Sequence, residues 1–547
     1  MQQFNSPLES FLYWEKNTPH SPFLIQPVNG KSITYSFAKA GEEARKVASE
    51  LMRLGMKKGD HVALLSKNCA HWIMSDIAIM MAGCVSIPIY PTLNDVSIKQ
   101  ILEHSDSKAI IIGKLDDFES QKKGIPNFPK ISVGMYGIQE GKLWEDIQSN
   151  QKPLVKIELP DSEALHTIIY TSGTTGSPKG VMHTASNFMV SSQAFKDGFS
   201  LPNKLRLFSY LPLAHVAERV LMNIAVVVGA SINFSESLET FAKDLEHTQP
   251  HLFLAVPRIW TKFRDKILES IPQKKLNVLL SIPIVNTMVR NKLKQKLGLK
   301  EAVLALSSAA PISADLVRWF KKLDIHIMQG YGMTEDGCVS HFNLHESNKI
   351  GTVGKTLKEA KAKLSPEGEI CIKNDCLMKG YYKEPEMTAE MFDDEGYLKT
   401  GDIGEYDHDG YLTITGRVKD QFKTDKGKYI SPSQIELPIS KNTDIEQICV
   451  VGTGIPQPIA LVTLSELGKA KSRELLSKSL LETVSKVNPM LEKHEMIEKI
   501  VIMKEEWSVD NGLTTPSLKI KRNAIERVHQ PYYSQWFNSN EKVIFES

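Results

Sequence analysis

The segment Tyr170-Thr171-Ser172-Gly173-Thr174-Thr175-Gly176-Ser177-Pro178-Lys179-Gly180 directly follows the apolar pair Ile168-Ile169 and predicts a phosphate-binding loop. Its glycines allow the backbone to approach an anion closely, its Ser and Thr hydroxyls supply donors, and Lys179 supplies a positive charge. The spacing is not that of a P-loop, because no Gly-x-x-x-x-Gly-Lys-Ser/Thr occurs and Pro178 stands where that motif begins its helix. Clusters of Ser, Thr and Gly are often plain loops, but the strand-like run before this one favours a phosphate site.

Helix-like and strand-like patterns alternate on both sides of this segment. Before it, apolar residues recur at helical spacing over residues 44–51, and residues 61–65 are typical of a buried strand. The alternation continues through residues 72–82, 85–90, 95–104, 109–112, 184–195, 207–211, 252–256 and 303–306. It predicts an α/β fold with mixed, mainly parallel sheets covered by helices. Ligands of such sheets bind at loops where strands end.

In the last third of the chain, turn signals become more frequent and the regular alternation of helix and strand patterns ends. From Gly368 onward, turn signals such as Asp394-Glu395-Gly396 and His408-Asp409-Gly410 predict a β-rich subdomain. A helical pattern at residues 480–487 and a strand-like run at 500–503 then predict a small, mobile α+β domain. We place the boundary at Gly416-Arg417, which gives a large domain over residues 1–416 and a small one over 417–547.

Composition limits the function classes. A chain of 547 residues predicts roughly two to four domains. Its 66 Lys and Arg balance 64 Asp and Glu, so no global charge argues for a nucleic-acid partner. Its six cysteines are dispersed without metal-ligand spacing. The first residues show no secretory signal pattern, and no apolar run approaches the roughly 20 residues that a bilayer requires, so we expect a cytoplasmic protein.

A basic stretch lies between Lys274 and Lys300. It contains seven basic residues and no acidic one, interleaved with apolar residues. Two interpretations are open: a pair of amphipathic helices with a solvated basic face, or a peripheral contact with an anionic membrane. Pro272 and Pro283 interrupt any continuous helix, and this favours the first interpretation.

A second polar segment, Gln329-Gly330-Tyr331-Gly332-Met333-Thr334-Glu335, follows an apolar run. Its two glycines permit close packing against a planar ring, and its tyrosine offers an aromatic face. Thr334 adds a hydroxyl, and Glu335 adds a hard oxygen ligand suited to Mg²⁺. Taken alone, the segment is equally consistent with a plain turn after a strand.

Three further polar positions complete the set. Asp402, in Thr400-Gly401-Asp402, suits the vicinal hydroxyls of a ribose. Arg417 brings a guanidinium that suits phosphate or ribose oxygens. Lys519, in a loop near the C-terminus, has an ammonium that could reach a reacting carboxylate and an α-phosphate together.

In order and spacing, these segments resemble the adenylate-forming superfamily of acyl-CoA synthetases, peptide-synthetase adenylation domains and firefly luciferase. The resemblance runs from about Thr34 to Arg522. Three stretches are similar to the long-chain fatty acyl-CoA synthetases in particular: residues 211–219 (LPLAHVAER), 256–260 (VPRIW) and 511–522 (NGLTTPSLKIKR).

The resemblance implies a two-step reaction. A fatty carboxylate attacks the α-phosphate of MgATP to give acyl-AMP and pyrophosphate, and the thiol of coenzyme A then displaces AMP. In the first step His215 lies beside the reacting carboxylate, Thr334 contacts the α-phosphate, and Lys519 stabilises the transition state. Between the steps the small domain rotates about Lys419 and withdraws Lys519.

The resemblance also assigns the nucleotide contacts. The residues implied for the β- and γ-phosphates are Thr171, Ser172, Gly173, Thr174, Thr175, Gly176 and Lys179. Those implied for adenine, ribose and Mg²⁺ are Gly330, Tyr331 and Gly332, then Asp402 and Arg417, and finally Glu335.

Alternatives remain within and outside this chemistry. The acyl group could pass to the phosphopantetheine of an acyl carrier protein, or the reaction could stop at the adenylate. A P-loop NTPase is disfavoured by the missing spacing, and a non-catalytic nucleotide-binding scaffold by the presence of every charged residue above. The chain also departs from the family pattern, because Ser308 stands where many relatives have glycine and Lys521 is a rival for the role of Lys519.

Overall fold

The computed structural model describes residues 4–172, 178–515 and 519–546, with the backbone alone at Ser172. Within these ranges the helices are α1 (Pro7–Asn17), α2 (Phe37–Arg53), α3 (Ala70–Met81), α4 (Asp95–His104), α5 (Phe118–Gln121), α6 (Trp144–Asn150), α7 (Ala185–Gly198), α8 (Val216–Val227), α9 (Phe241–Thr248), α10 (Pro257–Ser270), α11 (Gln273–Ser281), α12 (Pro283–Lys296), α13 (Ala314–Lys322), α14 (Pro385–Glu390), α15 (Pro432–Ile439), α16 (Glu466–Lys469), α17 (Arg473–Val487), α18 (Arg522–His529) and α19 (Tyr533–Phe537).

The strands in the same ranges are β1 (Pro22–Val28), β2 (Lys31–Ser36), β3 (His61–Leu65), β4 (Val85–Ile89), β5 (Ser107–Ile112), β6 (Lys130–Ser132), β7 (Lys142–Leu143), β8 (Leu165–Ser172), β9 (Pro178–Thr184), β10 (Arg206–Ser209), β11 (Ser231–Phe234), β12 (Leu252–Ala255), β13 (Leu304–Ser307), β14 (Ile327–Tyr331), β15 (His341–Phe342), β16 (Lys355–Thr356), β17 (Ala360–Leu364), β18 (Glu369–Asn374), β19 (Gly380–Tyr381), β20 (Leu398–Tyr406), β21 (Leu412–Arg417), β22 (Phe422–Lys423), β23 (Tyr429–Ile430), β24 (Ile445–Val451), β25 (Ile459–Leu464), β26 (Lys499–Ile502) and β27 (Val543–Phe545).

The sheet that carries the glycine-rich segment has eight strands in the order β19-β9-β8-β4-β3-β5-β6-β7. Neighbouring strands from β8 to β7 run parallel, whereas β9 returns antiparallel to β8. Pro178 therefore begins a strand and not the helix of a P-loop. The predicted strand at 61–65 and helix at 95–104 are found with the same bounds.

A second sheet has nine strands in the order β16-β15-β14-β13-β12-β10-β11-β1-β2. Its centre is parallel, and β14 at one side delivers Tyr331 and the loop that follows. The N-terminal hairpin of β1 and β2 closes the other side, where β1 pairs with β11. The sequence did not predict this hairpin, because Pro22 and Pro27 interrupt its strand pattern.

The predicted β-rich subdomain is an antiparallel sheet in the order β17-β18-β20-β21. Asp402 on β20 stands directly opposite Arg417 on β21. The mixed sheets, the covering helices and this subdomain confirm the predicted fold class.

The C-terminal part has its own four-stranded sheet, β24-β25-β26-β27, with one apolar cluster around Ile435 and Leu480 and another around Trp507 and Tyr533. Lys419 lies in the short helical turn after β21. We propose the division at 416/417 on this basis. No helix in the described part of the chain has the length and apolarity needed to cross a bilayer.

Candidate active site

The glycine-rich segment joins two paired strands. Thr171 stands opposite Lys179, and Ser172 stands opposite Pro178. The Lys179 ammonium lies 5.3 Å from the centre of the Tyr381 ring. The predicted phosphate ligands Gly173, Thr174, Thr175 and Gly176 lie outside the described residues.

Asp402 is the junction of three of the predicted motifs. Its buried carboxylate accepts a hydrogen bond at Oδ2 from the Tyr331 hydroxyl, at 2.7 Å, and another at Oδ1 from Arg417 Nε, at 2.6 Å. The negative charge of Asp402 is the main cause that raises the pKa of Arg417. Within the described chain, residues that are 71 and 15 positions away in sequence thus meet on one carboxylate.

The two glycines beside Tyr331 are required by packing within the protein. A Cβ atom on Gly330 would lie 1.9 Å from the ring of Phe342, and one on Gly332 would lie 2.7 Å from Cα of Cys338. A side chain at either position would push away the loop that holds Tyr331 and Glu335. The planar ring beside Gly330 in this structure is therefore that of Phe342.

Glu335 is a buried carboxyl whose Oε1 accepts a hydrogen bond from the Tyr381 hydroxyl at 2.8 Å. Burial raises the pKa of Glu335, while the Tyr381 hydrogen bond and the charges of Lys179 and Arg417 oppose that rise. Mg²⁺ in nucleotide sites is held by one or two carboxylates plus substrate phosphates. A single buried carboxyl such as Glu335 is of the kind that this pattern uses.

Thr334 is fixed through its main chain by a buried histidine. His183 Nε2 donates a hydrogen bond of 2.8 Å to the Thr334 carbonyl. Burial lowers the pKa of His183 to about 4, so its ring is neutral near pH 7. This contact was not predicted from the sequence, because the two residues are 151 positions apart.

His215 caps the N-terminus of α8 and accepts a hydrogen bond at Nδ1 from the Ala217 amide, at 3.2 Å. Burial and the nearby Lys519 charge lower its pKa to about 3. The neutral ring with an accepting Nδ1 carries its proton on Nε2. His215 can therefore donate a hydrogen bond to an anionic ligand without carrying a charge.

Lys519 comes from the C-terminal part and reaches the residues described above. The side chain as a whole is exposed, but nearby protein atoms partly desolvate its ammonium, and this is the main cause that lowers its pKa. The positive charge of Arg417 adds to the effect, while Asp402 and Glu335 oppose it. Lys519 thus lies within electrostatic range of the predicted ribose, metal and carboxylate residues.

The base of the lysine loop is closed by two hydrogen bonds. The Thr515 amide donates to the Lys519 carbonyl at 2.7 Å, and the Lys519 amide donates to Thr515 Oγ1 at 3.1 Å. This pairing fixes the main chain at the position from which the lysine side chain extends.

Ion pairs join the C-terminal part to the rest of the chain. Arg258, in the predicted 256–260 motif, pairs with Glu446 at 2.5 Å, and Lys441 pairs with Asp315 at 2.8 Å. All four side chains are partly exposed. The two ion pairs form in the same arrangement that brings the charge of Lys519 within electrostatic range of Asp402 and His215.

Similarity to known proteins identifies the family of this chain. The model of the AMP-binding enzyme family matches residues 11–382. The chain belongs to this family. The model of the AMP-binding enzyme C-terminal domain matches residues 419–540. The predicted membership of the adenylate-forming superfamily is confirmed.

Relatives of this AMP-binding enzyme include fatty acyl-CoA synthetase A of Dictyostelium discoideum, at 28% identity over 90% of this chain and 84% of the relative. Long-chain-fatty-acid–CoA ligase 5 of Rattus norvegicus is 28% identical over 93% of this chain and 84% of the relative. The adenylation domain of a carboxylate reductase from Mycobacterium chelonae superposes with a TM-score of 0.82, at 21% identity, and covers 98% of this chain and 91% of that domain. The last likeness concerns the fold alone.

This AMP-binding enzyme also contains a buried hydrogen-bond network beside the 211–219 motif that the sequence did not predict. Glu218 is fully buried and accepts a hydrogen bond of 2.6 Å from Ser209 Oγ. Asn68 Nδ2 donates to Ser209 Oγ and to the Leu211 carbonyl, and Asn68 Oδ1 accepts from the Leu213 amide. Burial raises the pKa of Glu218 to about 8. In the sequence, Glu218 could be noticed only as one residue of the 211–219 motif, and the resemblance assigned it no role.

Glu218→Gln is expected to change how stability depends on pH. A carboxyl with a pKa near 4.3 when unfolded and about 8 when folded keeps its proton longer in the folded state. Its favourable contribution is complete below the unfolded pKa and is lost as pH rises through about 8. Glutamine keeps an acceptor for Ser209 but does not titrate. The apparent Tm of the variant relative to wild type should therefore rise by a few degrees between pH 5 and pH 9.

The measurement is thermal unfolding across that pH range, with Glu405→Gln on the exposed side of β20 as the control. The control should differ from wild type by a constant offset. Parallel curves for Glu218→Gln and wild type would show that Glu218 does not hold its proton in the folded state.

Proposed function

We propose that the protein activates a long-chain fatty acid with ATP and transfers the acyl group to coenzyme A. The observation that carries this proposal is the meeting of Tyr331 and Arg417 on Asp402, with Glu335 and Lys519 within electrostatic range. The names of the relatives support the fatty-acid substrate and the thioester product.

In the proposed first step, a carboxylate oxygen of the fatty acid attacks the α-phosphorus of ATP. A new C–O–P linkage forms, the bond from the α-phosphorus to the bridging oxygen breaks, and pyrophosphate leaves. Asp402 and Arg417 hold the ribose, and Lys179 with the hydroxyls of the glycine-rich segment holds the departing phosphates. Lys519 neutralises charge that builds up on the α-phosphate as the attack proceeds.

The protonation states suit this step. A charged imidazolium would pair with the substrate carboxylate and weaken it as a nucleophile. His215 has a pKa of about 3, so it instead orients the carboxylate as a neutral donor. Mg²⁺ held by Glu335 would reduce the repulsion between the carboxylate and the triphosphate.

In the proposed second step, the thiol of coenzyme A attacks the acyl carbonyl. The thiol loses its proton, a thioester forms, the acyl–phosphate bond breaks, and AMP leaves. We propose that the C-terminal part first rotates about Lys419, because Lys519 would otherwise remain beside the adenylate. An acyl carrier protein is the alternative acceptor, since its phosphopantetheine presents the same thiol.

The decisive experiment is ATP–pyrophosphate exchange against saturated acids of increasing length, repeated with AMP release in the presence of coenzyme A. We expect exchange with long acids, little exchange with acetate, and AMP release that requires coenzyme A. Release with an acyl carrier protein alone would favour the alternative acceptor. A lack of exchange with every acid would favour a non-catalytic nucleotide-binding scaffold.

A further inference from the structure

We propose that the helical hairpin α11–α12 contacts membranes by inserting its apolar tip between anionic lipids. The tip consists of Val278, Ile282, Ile284 and Met288, whose exposed fractions are 60%, 44%, 79% and 68%. The two helices meet at the Ile282-Pro283 turn. Ile282 and Ile284 flank Pro283, while Val278 and Met288 each lie about one helical turn away from it, on α11 and α12. Apolar side chains in such a group would normally be covered.

The opposite face of the hairpin is already anchored. Leu276 is buried in the core beside β12 and β13, and Leu280, Val289 and Leu293 pack against the same core. Trp319 Nε1 on α13 donates a hydrogen bond of 2.8 Å to Gln273 Oε1 at the base of α11. One face of the hairpin is therefore held against the core, while the side chains of the apolar tip stay exposed.

Basic side chains surround the base of the hairpin. Within the described residues Lys274, Lys275 and Lys292 are exposed and have no hydrogen bond or ion pair. Lys294 pairs with Asp324, and Lys296 lies 3.9 Å from Glu246. The hairpin itself has no acidic residue to neutralise the three unpaired lysines.

The dimensions match an interfacial insertion. The nine residues of α11 span about 13 Å, so the unpaired lysines lie roughly 10–13 Å along the helices from the Ile282-Pro283 turn and roughly 5–6 Å from Val278 and Met288. Interfacial segments bury their apolar side about 5–10 Å into the boundary between headgroups and acyl chains. Lysine side chains at the base can extend to lipid phosphates while the tip contacts acyl chains.

An anionic lipid surface explains the exposed apolar tip and the unpaired lysines together. A protein partner with an acidic surface would pair with the lysines, but it would leave the isolated apolar tip without a matching environment. A membrane position would also suit a substrate that dissolves in bilayers, and that benefit rests on the proposed function. Vesicle binding itself does not depend on the proposed function, because it requires neither ATP nor a fatty acid.

The test is flotation of the full-length protein with vesicles of phosphatidylcholine and phosphatidylglycerol in a 3:1 ratio, compared with pure phosphatidylcholine. We expect binding to the anionic vesicles and a strong loss of binding at high salt. The triple variant Lys274→Gln, Lys275→Gln, Lys292→Gln should bind about a hundredfold more weakly. The double variant Ile284→Ser, Met288→Ser should bind about tenfold more weakly even at low salt.

The matched control is Leu475→Ser with Met490→Ser, which removes equally exposed apolar side chains from the C-terminal part. It should bind as wild type does. Pyrophosphate exchange without vesicles should remain unchanged in all variants and so verifies their folding. The proposal is wrong if wild type does not float with the anionic vesicles, or if both hairpin variants float as well as wild type.

Discussion

Lys519→Ala is expected to slow acyl-adenylate formation by about a hundred- to a thousandfold. The lysine ammonium lies within electrostatic range of His215, Glu335 and Asp402, where the proposed reaction develops negative charge on the α-phosphate. Alanine removes one of the positive charges that act on this region. Carboxylate-dependent ATP–pyrophosphate exchange measures the effect, and thioester formation from supplied acyl-AMP should be largely retained.

Lys521→Ala is the matched control, because Lys521 lies two residues further along the same loop. Lys521 is the N-cap residue of α18, and we have assigned it no part in the reaction. We therefore expect the variant to show near wild-type exchange. If Lys521→Ala abolishes exchange while Lys519→Ala does not, the roles of the two lysines are reversed. Equal loss in both half-reactions for Lys519→Ala would instead indicate a structural role.

Asp402→Ala is expected to reduce kcat/KM for ATP by about a hundredfold or more, because two charge-assisted hydrogen bonds are lost together. The change removes the acceptor of the Tyr331 hydroxyl and of Arg417 Nε. Tyr331, which we propose packs on adenine, and Arg417 would then both lose their partner, and the proposed ribose contact would be lost with them. Exchange rates measured over a range of ATP concentrations test this expectation.

Asp407→Ala is a suitable comparison, since Asp407 follows β20 and forms an ion pair with Lys349 at the surface. Its ATP dependence should match that of wild type. An unchanged KM for ATP in Asp402→Ala, with only kcat affected, would argue that Asp402 does not bind the ribose and acts on the chemical step.

The sequence predicted most of the parallel sheet elements because their apolar patterns are local. Residues 61–65 and 95–104 are found with the predicted bounds. The hairpin of β1 and β2 was missed for two reasons: Pro22 and Pro27 interrupt its strand pattern, and its place in the sheet depends on β11, a strand about two hundred residues away. Local patterns carry no information about such a distant partner.

In the candidate active site, too, local motifs were predicted and contacts between distant residues were not. Asp402, Arg417 and Tyr331 were predicted from the motifs that contain them, but their convergence on one carboxylate required the fold. Tyr381, which donates to Glu335, was not predicted, because no spacing links residues 46 positions apart. Glu218 was missed for a related reason, since a buried protonated carboxyl and an exposed ionised one look alike in a sequence.

The ion pairs Arg258–Glu446 and Lys441–Asp315 have a consequence for the timing of the cycle. Partly exposed pairs of this kind stabilise by about 0–1 kcal/mol each. Breaking both therefore raises the energy of the C-terminal part by an amount close to thermal energy. If Lys519 is withdrawn once in every turnover, as we propose, two weak ion pairs at this contact allow faster separation than a buried apolar contact would, and so shorten the interval between the two half-reactions.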